Sequence, residues 1–176
     1  MTHDHHGTKL RRRFRMLDTD GDGFLMQGDY EALGRRIASA CAADDPQRAA
    51  RIAAHFQEVW RHLAATAGVS PDQRIAEEDF VRMHRDGHLH DRKSTQSKLL
   101  FEMLDADGDG KVKPEVFRAY YQACGVSGED ADHAFVQIDT DKKGFLSPAE
   151  IAKASMDFFS STEGTAPGNH LFGKHS

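Results

Sequence analysis

The segment from residue 18 to residue 29 constrains this chain more than any other stretch of its sequence. It reads DTDGDGFLMQGD, with aspartate at the first, third, fifth and twelfth places of a twelve-residue loop and glycine at the sixth. Carboxylates alternating around a tight glycine turn direct several oxygens at one point, which suits Ca²⁺ or Mg²⁺ and no soft metal. The predicted ligands are four aspartates and the backbone carbonyl at the seventh place: Asp18, Asp20, Asp22, Asp29 and Phe24.

Apolar residues at helical spacing lie on both sides of this loop. They are Leu10, Phe14 and Leu17 before it, and Tyr30, Leu33 and Ile37 after it. The loop is therefore predicted to join two amphipathic helices, which is the EF-hand arrangement. Because Asp29 is one methylene shorter than glutamate, we expect monodentate coordination there and weak discrimination between Ca²⁺ and Mg²⁺.

The pattern recurs in two further loops, each with one defect. Loop three, residues 105–116, carries Val116 at the twelfth place, where a carboxylate is expected; loop four, residues 139–150, carries Lys143 at the fifth place. The candidate ligands are Asp105, Asp107, Asp109 and the backbone of Lys111 in loop three, and Asp139, Asp141, Phe145, Ser147 and Glu150 in loop four. Loop four is predicted to bind weakly. Loop three is either a low-affinity site or a vestigial loop.

A fourth loop, residues 68–79, keeps the frame of the repeat without its ligands. Gly68 and Gln73 stand where the first ligand and the turning glycine belong, whereas Ile75 remains at the eighth place. We call this segment loop two and the segment 18–29 loop one. Paired hands meet at the eighth place, so Leu25 is predicted to lie opposite Ile75, and in the other pair Val112 opposite Leu146. Loop two is predicted to be structural only.

A long helix separates the first two loops. Asp45 and Pro46 predict its start, and residues 47–66 contain neither glycine nor proline. With four hands, a degenerate second loop and an aspartate closing loop one, the chain resembles the prokaryotic calerythrin-like relatives of the sarcoplasmic calcium-binding proteins. The resemblance implies an all-α fold of two packed EF-hand pairs in a compact globule, with short β pairings between loops. The expected parts are a flexible N-terminus at 1–7, hand pairs at 8–90 and 91–160, and a tail at 161–176.

Histidines and aromatics raise the alternative of an interior ligand. Compact four-hand proteins that this chain resembles include photoproteins and luciferin-binding proteins, which hold an organic molecule inside. His55, Trp60 and His62 on the long helix are the candidate lining residues, although such a stripe is more often plain core. His84 and His88 have zinc-ligand spacing, but an exposed helix end is the favoured interpretation.

Charge and composition narrow the function. The net charge is −5 and 39% of residues are apolar, as in folded soluble proteins. Cation binding should relieve repulsion within the acidic loops. The basic run Lys9, Arg11, Arg12, Arg13 and Arg15 is interpreted as a solvated helix face rather than a nucleic-acid site. The sequence predicts a monomeric cytoplasmic calcium buffer or metal-stabilised scaffold, with no membrane segment and no catalytic constellation. The alternatives are a sensor that binds a partner helix, and a protein or enzyme built on the same fold that binds a small molecule in its interior.

The tail contains two adjacent large apolar residues, Leu171 and Phe172, after the Pro167–Gly168 pair. Large apolar residues are unusual in a solvent-exposed linker, and the rest of this stretch has linker composition. We expect them to fold back into the groove between hands; a disordered tail is the alternative.

Overall fold

Helices make up most of the chain. The structure is a computed structural model that describes residues 4–86, 93–161 and 166–172. Within these residues the helices are α1 His5–Leu17, α2 Gln27–Cys41, α3 Pro46–Ala67, α4 Glu77–Arg85, α5 Lys93–Leu104, α6 Pro114–Ala123, α7 Gly128–Ile138 and α8 Pro148–Ser160, with strands β1 Phe24–Leu25 and β2 Ile75–Ala76 and a 3₁₀ helix Pro167–His170. The predicted all-α fold class is confirmed. Helix α1 begins earlier than expected, at His5, inside the segment assigned to the N-terminus.

Helix ends coincide with side chains that satisfy exposed backbone groups. The Asp45 carboxylate accepts a hydrogen bond from the Arg48 N–H at 2.9 Å, and Pro46 follows as the first residue of α3. At α8, the Glu150 carboxylate accepts from the Ser147 N–H at 2.9 Å, which forms a capping box. The long helix that the sequence predicts from Asp45 onward is α3, and its predicted start is confirmed.

The loops pair through very short antiparallel contacts. In the first pair Leu25 lies opposite Ile75, and Phe24 opposite Ala76. In the second pair Val112 and Leu146 exchange both backbone hydrogen bonds, each at 2.9 Å. Both predicted contacts between eighth places are confirmed.

The chain forms two compact units: the first unit is Leu10–His90, and the second unit is Met1–Lys9 with Asp91–Ser176. In the first unit, α2 packs along α3 at Gly34, where an added Cβ would lie 3.2 Å from the Cβ of Phe56. The largest fully buried side chains of this unit are Leu10, Phe14, Leu25, Leu33, Ile37, Ile52, Trp60 and Ile75. Burying these apolar groups is the main force that holds the unit together.

Two described residues of the tail lie in the core of the second unit. Leu171 and Phe172 are buried, and the Phe172 ring lies 4.7 Å from that of Phe158 and 5.6 Å from that of Tyr121, measured between centroids. Gly168 lets the chain approach α8, because a Cβ there would lie 2.3 Å from the carbonyl oxygen of Ala154. Phe172 thus packs against aromatic rings of α6 and α8.

Lys9 departs from the predicted solvated face of α1. Its side chain is 1% exposed, and its Nζ donates to the carbonyl oxygens of Asp157 at 3.3 Å and Ser161 at 2.8 Å and to Oδ1 of Asn169 at 2.7 Å. The ammonium therefore binds carbonyl oxygens at the C-terminal end of α8, where the helix dipole is negative, together with Asn169 of the tail. Burial lowers the pKa of Lys9 to about 8, and the Asp157 carboxylate opposes that shift.

Candidate metal centres

Loop one brings three of its predicted ligands together. One carboxylate oxygen from each of Asp18, Asp20 and Asp22 lies within 4.8 Å of the others. Backbone groups of the loop fix the Asp18 carboxylate, which accepts from the Gly21 N–H at 2.8 Å and from the Gly23 N–H at 3.0 Å. Both glycines have positive φ, 74° and 84°, which glycine adopts without strain. Among the described hydrogen bonds and ion pairs, none joins a basic side chain to this triad.

Asp29, the predicted twelfth-place ligand, is not a member of the triad. It is buried, and its Oδ1 accepts from both the N–H and the hydroxyl of Thr19 at 2.9 Å. Its Oδ2 accepts from the Met26 N–H at 2.8 Å, as the third residue of α2 does in a capping box. A carboxylate one methylene shorter than glutamate stays close to the backbone that it caps. The structure thus places Asp29 as a brace between the start and the end of the loop.

Loop two supports loop one without offering ligands. Besides the strand pairing, the guanidinium of Arg74 lies 3.9 Å from the ring centroid of Phe24, at the seventh place of loop one. Loop two is closed by its own side chain, because Gln73 Oε1 accepts from the Ser70 N–H at 2.9 Å. Its twelfth residue, Asp79, forms an ion pair with Arg82 at 2.5 Å. A side-chain hydrogen bond within the loop, and not a cluster of carboxylates, thus closes loop two.

Loop three assembles a triad and also presents lysines to it. Oxygens of Asp105, Asp107 and Asp109 lie within 4.8 Å of one another. The Nζ of Lys113 donates to Asp107 Oδ2, and this hydrogen bond lowers the pKa of Asp107. Oδ1 of Asp105 is buried and, within the described residues, has no hydrogen-bond partner. Lys111, proposed as a backbone ligand, has its Nζ 4.0 Å from Asp109 Oδ2.

Loop four closes its ligand set with a glutamate but contains a lysine. Asp139, Asp141 and Glu150 place oxygens within 4.8 Å of one another. The Nζ of Lys143 donates to Asp141 Oδ1 at 2.5 Å and to Glu150 Oε2 at 3.1 Å. Hydrogen bonding to Lys143 lowers the pKa of Asp141 and raises that of Lys143. Ser147, a predicted ligand, instead donates its hydroxyl to Glu150 Oε2 at 2.6 Å. Phe145, the predicted carbonyl ligand, has its ring centroid 5.2 Å from the Lys143 Nζ.

The donor chemistry decides which loops fit a divalent cation. Loop one offers three convergent carboxylates with no ammonium among their described contacts, so it fits Ca²⁺ or Mg²⁺. Loop three fits a divalent cation only in part. The buried Asp105 oxygen without a hydrogen-bond partner favours a cation there, but the ammonium of Lys113 already binds Asp107. Loop four, with Lys143 in place, does not fit. These three triads are the clusters of three or more potential metal-ligating side chains found in the described ranges 4–86, 93–161 and 166–172.

The candidates for an interior ligand differ in their burial and in their contacts. Trp60 is fully buried, and its indole N–H donates to the Pro71 carbonyl at 2.9 Å. His62 departs from the predicted inward position, since its side chain is 43% exposed and its Nε2 lies 3.0 Å from Glu58 Oε1. His55 is half-buried, and burial lowers its pKa. Among the described hydrogen bonds, ion pairs and ring contacts, none joins two of these three residues to each other.

The proposed zinc-spaced pair is likewise not supported as a site. His84 is buried rather than exposed, and its Nδ1–H donates to the Phe80 carbonyl at 2.8 Å. The prediction for His88 lies outside the described residues. No helix of the described chain is both long and apolar enough to cross a membrane.

Helix–loop–helix units paired through their loops, with triads of acidic side chains in three of the loops, define a protein of the EF-hand class. The EF-hand family model matches residues 10–25, 98–115 and 131–154. The chain is 30% identical over 158 residues to calerythrin of Saccharopolyspora erythraea, covering 85% of this chain and 89% of calerythrin. It therefore belongs to the EF-hand family of calcium-binding proteins, in the calerythrin group, as the sequence resemblance predicted.

Two solved structures extend the comparison. Coelenterazine-binding protein from Renilla muelleri, in a calcium-loaded apo form, is 28% identical, with a TM-score of 0.79 over 99% of this chain and 100% of that chain. A Streptomyces coelicolor calcium-binding protein is 26% identical, with a TM-score of 0.70 over 88% of this chain and 98% of that chain. Both similarities extend over nearly the whole length of the other protein.

Proposed function

We propose that this protein is an intracellular calcium buffer or metal-stabilised scaffold that takes up Ca²⁺, and also Mg²⁺, through loop one. The observation that carries the proposal is the convergence of Asp18, Asp20 and Asp22 with no lysine or arginine among their described contacts. Three carboxylates within 4.8 Å repel one another, and a divalent cation offsets that repulsion.

The ligand set favours an ion that keeps part of its water. Asp29 braces Thr19 and Met26, so the ligands proposed for loop one are the three aspartates of the triad and the carbonyl of Phe24 at the seventh place. Mg²⁺ retains several waters and is often held by few carboxylates, whereas Ca²⁺ prefers the larger shell that a twelfth-place glutamate completes. Loop one should therefore discriminate only weakly between the two cations.

The distribution of exposed apolar side chains supports a buffer rather than a sensor. A sensor opens a methionine-rich groove for a partner helix. The large apolar residues exposed in the described part of the chain lie on or beside four different elements: Met26, Leu99, Val136 and Met156. Binding of an apolar dye with and without calcium tests this, because a sensor gains dye binding with calcium and a buffer does not.

The decisive experiment is a calcium titration of matched variants. Asp20→Asn and Asp107→Asn remove the same charge from the third place of loops one and three. Trp60 and its ring neighbour Tyr30 lie in the first unit, so tryptophan fluorescence reports on that unit. We expect Asp20→Asn to weaken the fluorescence-detected calcium affinity about 100-fold, and Asp107→Asn to leave it unchanged. Equal affinity of Asp20→Asn and the wild type would overturn the proposal.

A second variant tests the role assigned to Asp29. Lengthening the side chain in Asp29→Glu should let the carboxylate reach the triad and raise the preference for calcium over magnesium. Competition titrations with the two cations measure that ratio. An unchanged ratio would show that the twelfth place does not control selectivity.

A second candidate function is the binding of an organic molecule. It is supported by the full-length similarity to coelenterazine-binding protein, and not by His55, Trp60 and His62. Titration of the purified protein with coelenterazine, followed by absorbance and native mass spectrometry, tests it. A one-to-one complex would establish the binding, and an unchanged protein mass at saturating ligand would exclude it.

A further inference from the structure

Lys143 contacts every acidic member of the loop-four triad. Its Nζ donates to both carboxylate oxygens of Asp141 and to Oε2 of Glu150, and its backbone N–H donates to Oδ1 of Asp139 at 3.0 Å. A single residue thus ties together three side chains that lie at the first, third and twelfth places of the loop. Only 29% of its side chain is exposed.

One of the two carboxylates that receive the ammonium, Glu150, is itself fixed. Glu150 Oε2 also accepts from the N–H and hydroxyl of Ser147, at 2.9 and 2.6 Å, so the capping box of α8 determines where this oxygen lies. Asp139 is buried and accepts from the Gly144 N–H at 2.8 Å. The ammonium therefore binds one oxygen that the helix cap already holds in place, Glu150 Oε2, whereas an ordinary surface ion pair joins two mobile side chains.

The charge of the loop shows what this contact does. Lys143 occupies the fifth place, where loop one has Asp22 and loop three has Asp109. With the lysine in place, the four groups Asp139, Asp141, Lys143 and Glu150 carry a net charge of −2. The loop-one triad alone carries −3. An arriving divalent cation would meet less negative charge in loop four, and it would also have to expel a bound ammonium.

We propose that Lys143 is the resident cation of loop four: its ammonium takes the place of calcium and keeps the loop folded at cation concentrations that fill loop one. This inference deepens the proposed function, since it assumes that divalent cations bind to loop one of the same chain. Loop four then stays formed whether calcium is present or chelated. A divalent ion enters it only by displacing the lysine.

Matched substitutions at adjacent positions test the proposal. Lys143→Asp restores a ligand at the fifth place, and Lys142→Asp makes the same change of charge at the fourth place, which holds no ligand in this repeat. The amides of Gly23 and Gly144 report on loops one and four, because each donates to the first aspartate of its loop, at 3.0 and 2.8 Å. Calcium titrations followed by ¹⁵N-resolved NMR therefore observe both loops of each full-length variant separately.

The expected result is a selective gain in loop four. In the wild type and in Lys142→Asp, calcium should shift Gly23 at concentrations that leave Gly144 unmoved. In Lys143→Asp, Gly144 should shift as well, with an affinity about 100-fold or more above that of wild-type loop four and one additional calcium by native mass spectrometry. The proposal is overturned if wild-type Gly144 shifts together with Gly23, or if Lys142→Asp gains the ion equally.

A second pair of variants covers the case in which Lys143→Asp does not fold. Lys143→Met keeps the aliphatic stem and removes the ammonium, with Lys142→Met as its control. Without calcium, the Gly144 and Leu146 amides should exchange with solvent about 10-fold faster in Lys143→Met than in Lys142→Met. Equal exchange rates would show that the ammonium does not hold the loop. A Gly23 amide indifferent to calcium would overturn the proposed function instead, and the exchange comparison, made without calcium, would still stand.

Discussion

The two units of this protein hold their clustered oxygens in different ways. In the first unit, the carboxylates of Asp18, Asp20 and Asp22 converge without a basic side chain among their described contacts. In the second unit, lysine ammonium groups supply positive charge to clustered oxygens at three places. Lys113 binds Asp107, Lys143 binds the loop-four triad, and Lys9 binds the end of α8. The composition follows the same division: within residues 10–90 every basic residue other than histidine is arginine.

The loops share one sequence pattern, but they differ in the source of the positive charge that their carboxylates need. An internal ammonium is present at all calcium concentrations, whereas a metal ion comes and goes with its free concentration. The first unit should thus respond to calcium, and the second unit should keep its loops formed without it. A bound metal ion and an internal ammonium meet the same requirement, since clustered carboxylates need a nearby positive charge.

Removing the buried ammonium of Lys9 should have the largest effect. Lys9→Met leaves the acceptors on Asp157, Ser161 and Asn169 without this donor, and we expect a loss of about 2–3 kcal/mol in the free energy of unfolding. The control is Lys153→Met, which removes an exposed ion pair with Asp157 and should cost less than ~1 kcal/mol. Urea denaturation monitored by circular dichroism compares them. Equal losses would mean that the buried ammonium is not special.

The same variant gives a pH measurement with a defined sign. The pKa of Lys9 is lowered to about 8 in the folded protein, against 10.5 for an unperturbed lysine. Between these values the unfolded chain holds the proton and the folded chain does not, so the unfolded state binds more protons and stability rises with pH. The stability of the wild type relative to Lys9→Met should therefore increase from pH 7 to pH 10, by at most roughly 3 kcal/mol. A constant difference would contradict the lowered pKa.

Calcium removal should destabilise the first unit and not the second, by nearly as much free energy as the changes at Lys9. A ligand at 100 times its dissociation constant stabilises the folded state by about 2.7 kcal/mol. After chelation we expect faster hydrogen exchange at β1 and β2, by up to about 100-fold, and little change in loop four. Exchange measured by mass spectrometry on both units resolves this. Equal acceleration in residues 139–150 would remove the contrast between metal and lysine.

The sequence predicted the frame of both units better than it predicted the ligands. Contacts between eighth places follow from the repeat itself, so Leu25–Ile75 and Val112–Leu146 were found correctly. The brace formed by Asp29 was missed, although its position three residues after Met26 is the spacing of a capping box.

The lysine contacts were out of reach of sequence patterns for two different reasons. Lys9 was placed on a solvated face because its acceptors lie 148 to 160 residues away along the chain. Lys143 was recognised as a defect at the fifth place. Its contact with Glu150 depends on the side-chain conformation and on the capping box, and neither can be read from spacing alone.

The fourth place of the loops offers a smaller test of the same contrast. Loops one and three have Gly21 and Gly108 there, with φ of 74° and 71°, whereas loop four has Lys142 at φ 56°. A non-glycine residue in this region costs about 1–2 kcal/mol, part of which the flexibility of glycine in the unfolded chain offsets. We expect Lys142→Gly to stabilise the second unit by about 0.5–1 kcal/mol. Gly21→Ala should destabilise the first unit by about 1–2 kcal/mol. Thermal unfolding of both variants measures the two signs, and a destabilised Lys142→Gly would contradict the assignment of strain.

The contact of Arg74 with Phe24 should have the smallest effect, and it tests whether loop two assists loop one. The guanidinium lies over the ring of a residue whose carbonyl is a predicted ligand, and Ile75 beside it pairs with Leu25. An exposed cation–π contact is worth about 0.5–1 kcal/mol. If that energy holds loop one in its binding shape, Arg74→Gln should weaken its calcium affinity by about two- to fivefold. The control is Arg82→Gln, which removes an equal charge from the same unit by breaking the ion pair with Asp79. If both variants bind calcium equally well, loop two supports loop one through its backbone pairing alone.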